Sequence, residues 1–563
     1  MHLQDVHVGG GPHGAQAERF EVALAGSAER ALRISATFCL AAAVLLWAGP
    51  NLARVDLFDS DATHHVFWLY RYADPALFPE DPSVEYFASP SVAPWGYRAL
   101  YAVIAPFADV LFAAEVVSVL LLAITVLLAW KLGTALTSTA RPLAGLFAVT
   151  ATIALLPVTD LVPPMGFQRT FALPITLLCL WALVTRRYAW VGVSWLAAAL
   201  TYPVIIPVLG LTAVIVFGMD LLRERRLPRL WWWNAALGVV TLAIVIVGSS
   251  TPEGVGPMVS YEQASHMPEF GPGGRQTLFG QTWSGYWFGH HRTGLGWSPW
   301  AVLSMAGAML VTVATGRRRL IPLPVWVLAG TGVALWFLAR QALFLLYLPN
   351  RHSRYAIAAF AIVAFAAAGC ALIQWLASRS ADRRVVVDRL CRVAALAAPV
   401  IVVAQLLPFA AAAWQKPIDR DMERAYAFIA SLPRETLVAA HPDLADPVPL
   451  RTRRSVLAST EASIAFMQGY YARMRHRIEA SLRAAYATSW EELDAILAPF
   501  GVDVVLTGPA VWSQNGYYAP YDALARELRA TGERQGFVLQ QPEAERVLFR
   551  SGDVYVVRVG AGS

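Results

Sequence analysis

Charge is scarce in this chain. Only 15% of its 563 residues are Asp, Glu, Lys or Arg, against about 25% in an average soluble protein. Hydrophobic residues make up 57%, and they are bunched into long runs rather than spread. An ordinary soluble protein is thereby excluded, and the chain falls in the membrane class. Cysteine is sparse as well. Cys39, Cys179, Cys370 and Cys391 all lie in or beside apolar runs, in no CxxC or Cys/His pattern. That excludes a disulfide framework and a cysteine zinc site, and the four are read as small buried hydrophobes. The net charge of +6 is not gathered into a basic stripe, so no nucleic-acid partner is expected. The first 30 residues lack an early apolar core. The first apolar run, from about Ala31, is therefore read as a retained span rather than a cleaved signal. There is no P-loop and no GxSxG elbow. Gly271-Pro-Gly-Gly274 follows no strand and opens no helix, so it is no nucleotide fingerprint. No internal repeat is visible.

What the chain does have is spans. A helix needs about 20 apolar residues to cross a bilayer. Eleven segments are read this way: 31–49, 107–131, 142–158, 170–185, 188–201, 203–220, 231–248, 298–315, 322–346, 354–377 and 391–413. The stretch 170–201 is short and broken by Pro174 and Pro203, as half-helices or a re-entrant pair lining a cavity would be. Charge sets the orientation, because Lys and Arg gather in cytoplasmic loops. With a cytoplasmic N-terminus, the inner loops are Lys131 to Arg141, Arg186-Arg187, Arg223 to Arg229, Arg317 to Arg319 and Arg379 to Arg392, all basic. The opposite loops carry Asp56, Asp59, Asp61, Asp74, Glu80, Asp81 and Glu85, then Glu253, Glu262 and Glu269.

Three parts follow: a cytoplasmic segment 1–30, a transmembrane domain 31–413, and an extracytoplasmic domain 414–563. Two outer loops are long, 50–106 and 249–297, and loops of that length are functional or disordered. Their aromatic content argues against disorder. Ala62 to Tyr72 reads as a helix lying on the membrane surface, with Phe67, Trp68, Tyr70 and Tyr72 at the interface. After Gln415 the composition becomes that of a soluble protein. Thr436–Ala440 and Val502–Thr507 read as strands, Ala462–Ala485 and Trp490–Leu497 as helices, and Glu545–Val559 as a hairpin turning at Ser551-Gly552-Asp553. Strands alternating with helices predict a small α/β domain.

The densest chemistry is Asp56-Leu-Phe-Asp59-Ser-Asp61-Ala-Thr-His64-His65. Carboxylates this close repel one another and hold raised pKa values unless a cation sits among them. The cluster suits a general base or a hard divalent cation such as Mg or Mn. The plain alternative is that Asp61 caps a helix and the rest are solvated. Asp160, in the outer loop Thr159 to Arg169, either completes such a site or pairs with Arg169. Outer arginines run against the orientation bias, so each is informative: Arg275, Arg292 beside His290-His291, and Arg351 and Arg354 in Tyr347-Leu-Pro-Asn-Arg-His-Ser-Arg-Tyr355. Arginine binds phosphate bidentately; the alternative is snorkelling to head groups. The tract Phe279 to Trp300 holds four tryptophans, which an aromatic belt explains and sugar stacking also fits.

This layout resembles the GT-C superfamily of membrane glycosyltransferases: a cytoplasmic N-terminus, one span, a long acidic outer loop with an aromatic helix, many spans, then an outer domain. Phe58-Asp59-Ser-Asp61-Ala-Thr-His-His-Val-Phe-Trp-Leu-Tyr-Arg71 is similar to that superfamily's acidic motif and following helix. Leu346-Tyr-Leu-Pro-Asn-Arg351 resembles a recurrent piece of bacterial membrane proteins of this type. The C-terminal domain lacks the Trp-Trp-Asp motif of oligosaccharyltransferases, so protein N-glycosylation is not implied. The resemblance implies a GT-C-like fold and transfer of a sugar from a polyprenyl-phosphate donor to an extracytoplasmic lipid or glycan acceptor, with inversion. It implies Asp61 as general base with Asp59 the alternative, Asp59 or Asp160 orienting the acceptor or a divalent cation, and Arg351, Arg354 and Arg292 on the leaving phosphate. A transporter or flippase, with Asp109 and Glu115 in a central cavity, is the rival reading. A non-catalytic assembly protein with an outer binding domain is the other.

Overall fold

The computed structural model describes residues 26–138, 140–159, 161–225, 230–289, 292–296, 299–316, 320–514 and 516–560. Eleven apolar helices occupy the expected stretches. They are α1 (Gly26–Ala53), α2 (Val110–Thr134), α3 (Arg141–Thr159), α4 (Ala172–Val184), α5 (Ala189–Thr201), α6 (Ile206–Glu224), α7 (Trp231–Gly248), α8 (Pro299–Thr315), α9 (Leu323–Gln341), α10 (Asn350–Ser378) and α11 (Arg383–Gln415). Among the described residues, seven helices are long and apolar enough to cross a membrane by length and composition; α3, α4, α5 and α8 are the shorter apolar ones.

Helix is the form the backbone must take here, since hydrocarbon offers no partners for free N–H and C=O groups. α7 shows the inversion that lipid imposes. Its buried residues are Asn234 and Thr241, while Trp231, Val239, Leu242, Ile246 and Val247 are exposed. Asn234 Oδ1 accepts from Gly192 N at 2.8 Å, tying α7 to α5. α10 is the central helix and packs on α3, α8 and α9. It is rich in buried alanine, and small residues let helix backbones approach where no hydrophobic effect drives packing. α4 and α5 are short antiparallel neighbours turned at Arg186, whose φ is 55°. Pro174 sits in the first turn of α4 and Pro203 just past the end of α5.

The C-terminal domain carries α12 (Arg420–Ser431), β1 (Leu437–Ala439), β2 (Ser455–Val456), α13 (Gln468–Ala485), α14 (Trp490–Leu497), β3 (Val504–Thr507), α15 (Asp522–Gln535), β4 (Val547–Ser551) and β5 (Val554–Arg558). The strand order is β2-β1-β3-β5-β4. β1 pairs parallel with β2 and β3, and β5 pairs antiparallel with β3 and β4. Period-two alternation sends Val504 and Leu506 toward α12, and Val505 toward α13 and α14, so both faces of the sheet are covered.

Two expectations are corrected. Residues 62–72 form a four-residue helix, Ala62–His65, and a 3-10 turn, Phe67–Tyr72. Phe67, Trp68 and Tyr70 are buried inside the protein, not laid on a membrane surface. They join one apolar core with residues from the second outer loop and from the C-terminal domain, including Phe270, Phe466 and Tyr470. Burial there removes the same apolar area from water that the interface would have taken. Second, α13 starts at Gln468 rather than Ala462. The preceding turns are held by the second outer loop: Val259 N donates to Phe466 O at 2.9 Å, and Ala465 N to Gln276 Oε1 at 2.9 Å.

The domain is therefore fused to the loops. Tyr470 is fully buried, stacks on Tyr86 with centroids 4.5 Å apart, and donates to Ala462 O at 2.7 Å. Truncating it leaves a large cavity and an unmet carbonyl, so Tyr470→Ala should cost about 4 kcal/mol. Thermal unfolding in detergent reads this as a melting point lowered by several degrees; an unchanged melt would deny the shared core.

Candidate functional site

A cavity of about 410 Å³ lies where the first outer loop, the entry to α4, the entry to α10 and the turns before α13 meet. Four guanidinium groups line it, from Arg169, Arg275, Arg292 and Arg351, against two carboxylates, Asp61 and Glu461. His64 and His65 complete the polar wall. Leu345, on one edge, is 86% exposed, so the cavity is open there.

Local structure aims each group. Asp59 Oδ1 accepts from Asp61 N at 2.9 Å and closes the turn that presents Asp61. Asp61 heads the Ala62–His65 helix, but its side chain makes no cap. It pairs instead with Arg169 Nη1 at 2.6 Å. Arg169 Nη2 stands 3.7 Å from Asp59 Oδ2, so one guanidinium holds both acids. Glu461 Oε2 is 2.6 Å from Arg275 Nη2 and 3.8 Å from His64 Nδ1. Asn350 N donates to Arg292 O at 3.3 Å, which keeps Arg292 beside the start of α10. Phe344 and Tyr347 both adopt positive φ, 71° and 59°, in the turn that delivers Arg351. Non-glycine residues in that region cost about 1 kcal/mol or more each.

Electrostatics follow from burial and from this pairing. Burial opposes the charge of Asp61, but Arg169, then His64, His65 and Arg351, outweigh it and hold the carboxyl well below the usual aspartate range. Burial, then the neighbouring His65, pushes His64 well below 6.5. Burial holds His65 at about 4, against the pull of Asp61. Both rings are neutral at physiological pH. Burial, Arg275 and Arg351 bring Arg292 down to about 10, so it remains a cation. Arg351 makes no ion pair among the described residues, and its Nε and Nη1 are buried without a hydrogen-bond partner. A buried, unmet guanidinium facing a cavity is a place for an anion.

The expected site residues are thus distributed unevenly. Asp61, Arg292 and Arg351 share the cavity wall, and Asp59 stands behind Asp61 on the same arginine. Arg354 is not among the lining residues; its backbone packs on Gly296. Asp160, His290 and His291 lie outside the described residues. Asp109 caps α2 through Leu111 N at 2.9 Å and pairs with Arg453 of the C-terminal domain at 3.0 Å. It is a fastening between domain and membrane helix. Sequence reasoning missed Glu461, which sits in Ala458-Ser-Thr-Glu461 with nothing local to mark it. Asp61, His64 and Glu461 each offer one ligand atom, all within 4.8 Å of one another. Two carboxylates and one imidazole fit a divalent cation of the Mn or Zn kind better than Mg, which prefers oxygen alone.

No protein-family model and no curated protein sequence matches the chain. Solved structures do. ArnT from Cupriavidus metallidurans, bound to undecaprenyl phosphate, is 15% identical; the match covers 93% of this chain and 99% of that one, with a TM-score of 0.50. The archaeal oligosaccharyltransferase AglB from Archaeoglobus fulgidus, in complex with an inhibitory peptide and a dolichol-phosphate, is 12% identical over 86% of this chain and 69% of that one, at 0.48. An Archaeoglobus fulgidus oligosaccharyltransferase complex with Zn and sulfate is 11% identical over 86% and 68%, at 0.45. The likeness to ArnT runs through nearly all of both chains and defines the class: this is a multi-pass membrane protein with the GT-C fold.

The neutral histidines give a pH test. An unfolded His65 takes its proton near 6.5 and the folded one near 4. Between those values the unfolded chain binds more protons, so stability rises with pH. Acidifying from pH 6.5 to pH 4 should lower the melting temperature, and His65→Gln should flatten that slope. An equal slope in the variant would assign the loss elsewhere. Asp61 adds a second loss below its usual 3.8, as its depressed carboxyl is protonated.

Proposed function

We propose that this protein is a membrane glycosyltransferase that moves a sugar from a polyprenyl-phosphate donor to an extracytoplasmic lipid or glycan acceptor. One observation carries the reading: a carboxylate, Asp61, and a buried guanidinium with unmet nitrogens, Arg351, line one open cavity whose wall holds two more cations than anions. That excess suits a phosphate ester. The undecaprenyl phosphate bound to ArnT is a ligand of the same chemistry on the same fold. The basic loops support a cytoplasmic N-terminus, with the cavity and C-terminal domain on the opposite side.

In this reading the acceptor hydroxyl oxygen attacks the anomeric carbon from the face opposite the phosphate. The new C–O bond forms as the sugar–phosphate bond breaks, and its electron pair leaves on the phosphate oxygen. Arg351 and Arg292 stabilise that charge. The hydroxyl proton passes to Asp61, or to Asp59 if the loop shifts. Arg169 makes Asp61 a weak base, which suffices in an oxocarbenium-like displacement, where the hydroxyl turns acidic only as the bond forms. Weak basicity also keeps Asp61 ionised and ready. Arg354 would act on the donor phosphate only from outside the wall described above. A divalent cation, if bound, would be held by Asp61, His64 and Glu461 and would supply positive charge beside the reacting groups.

Purified wild type, Asp61→Asn and Arg351→Gln should be given lipid extract bearing polyprenyl-phosphate sugars, with and without added divalent cation. Release of polyprenyl phosphate is the readout. Asp61→Asn should lose roughly 100-fold or more in rate, and Arg351→Gln should mainly raise the KM for donor. Equal release by wild type and Asp61→Asn would move the base to Asp59. No release by folded wild type across donors would overturn the transferase reading.

A further inference from the structure

A second cavity lies at the opposite end of the helix bundle. α2 begins at Asp109, which is bound to Arg453 of the C-terminal domain. Its 25 residues carry the chain about 37 Å away from that contact. There, between the end of α2, the start of α3 and the turn from α4 to α5, is a depression of about 680 Å³. Its charged residues are Lys131, Arg141 and Arg187, and among the described residues no acid lines it. Thr134 and Thr185 on its wall donate to carbonyls of their own helices, Lys131 O at 2.9 Å and Trp181 O at 2.7 Å, so the cations are what it offers an anion. Trp181 forms part of the wall, with Lys131 Nζ 5.7 Å and Arg187 5.2 Å from its ring centroid.

Orientation bias accounts for basic residues at this end but not for their convergence. The adjacent residue makes the contrast. Arg186 pairs with Glu224 at 2.6 Å and Asp220 at 3.6 Å, as exposed arginines commonly do. Arg187, one position on, turns away from those acids to the tryptophan. At the nearby start of α11, Arg392 likewise has Asp388 at 2.9 Å. Three cations gathered in one concavity with no acid among them repel one another, and an anion relieves that cost. At the depth of a helix end, beside an interfacial tryptophan, the anion at hand is a phospholipid phosphate. Basic pockets between membrane helices hold such head groups.

We infer that the depression formed by Lys131, Arg141, Arg187 and Trp181 is a binding site for an anionic phospholipid head group, on the membrane face remote from the Asp61 cavity. The cations bind the phosphate oxygens. Trp181 holds Lys131 and Arg187 in place through its ring face. The acyl chains run along the exposed apolar flanks of α2, where Leu120, Ile124 and Leu127 face outward. The site is independent of the transferase reading and survives its failure.

The test uses the full chain in neutral detergent, titrated with cardiolipin, phosphatidylglycerol or phosphatidylcholine in mixed micelles, or with sodium phosphate. Cardiolipin should raise the melting temperature by about 4 °C more than phosphatidylcholine does. Lys131→Gln/Arg187→Gln should lose at least half of that increment while keeping its melt in phosphatidylcholine. Arg384→Gln/Arg389→Gln, which removes two charges outside the depression, should keep the increment. Lipid retained through purification, counted by native mass spectrometry, gives the same comparison for the single variant Arg141→Gln if the double variant is unstable. No cardiolipin increment in wild type overturns the site. So does an equal increment in Lys131→Gln/Arg187→Gln, or an equal loss in Arg384→Gln/Arg389→Gln. The same stabilisation by millimolar sodium phosphate would overturn the lipid as the source of the phosphate.

Discussion

The pairing of Asp61 with Arg169 is the contact on which the outward cavity depends. It joins a loop that follows the first apolar helix to the entry of the fourth, across more than a hundred residues of chain. Two acids two positions apart cannot both be charged and buried without a cation between them. Arg169 meets that demand for Asp59 and Asp61 together. With the loop so fixed, His64 and His65 fall inward, and their neutrality follows from the dryness of the place they fall into. The arginine that stabilises Asp61 also weakens it as a base, so one contact sets both the shape of the wall and the chemistry available to it.

A second constraint comes from the two solvents that the chain must satisfy. On α7 apolar side chains face outward and the polar Asn234 is kept for a bond to α5, while buried threonines such as Thr125, Thr150 and Thr212 donate to carbonyls of their own helices. In the outer loops the ordinary rule returns, and the aromatics seek cover. They find it against the C-terminal domain, which is why Phe67, Trp68 and Tyr70 are internal. Loops and domain form a single body because neither has enough apolar cover without the other.

Much of this was legible from residue order. Each of the eleven apolar helices was visible as an apolar run, because hydrocarbon thickness sets a length that sequence must meet. The hairpin at Ser551-Gly552-Asp553 and strands β1 and β3 were visible from strand-forming residues and turn signals, whereas the two-residue β2 was not. The acidic loop and the arginine-bearing turn before α10 were visible because charge is so scarce that each instance stands out. The rest was hidden for a physical reason. Glu461 and the unwound start before α13 owe their form to partners in another part of the chain: Arg275 for the acid, and Gln276 and Val259 for the backbone. No local period encodes a contact made across nearly two hundred residues. The aromatic segment 62–72 misled for a related reason, since a membrane surface and a second protein surface ask for the same residues.

The wall of the outward cavity is built from both ends of the chain. Asp61 and His64 are synthesised about 400 residues before Glu461. During biogenesis the loop 50–106 must therefore wait, with its acids and aromatics uncovered, until the helices that follow it and the C-terminal domain have been made and folded against it. A protein interrupted anywhere before that point would carry spans but an unfinished cavity. The position of Glu461 makes completion of the cavity wall a late event of synthesis, so a chain that stops before it has only part of that wall.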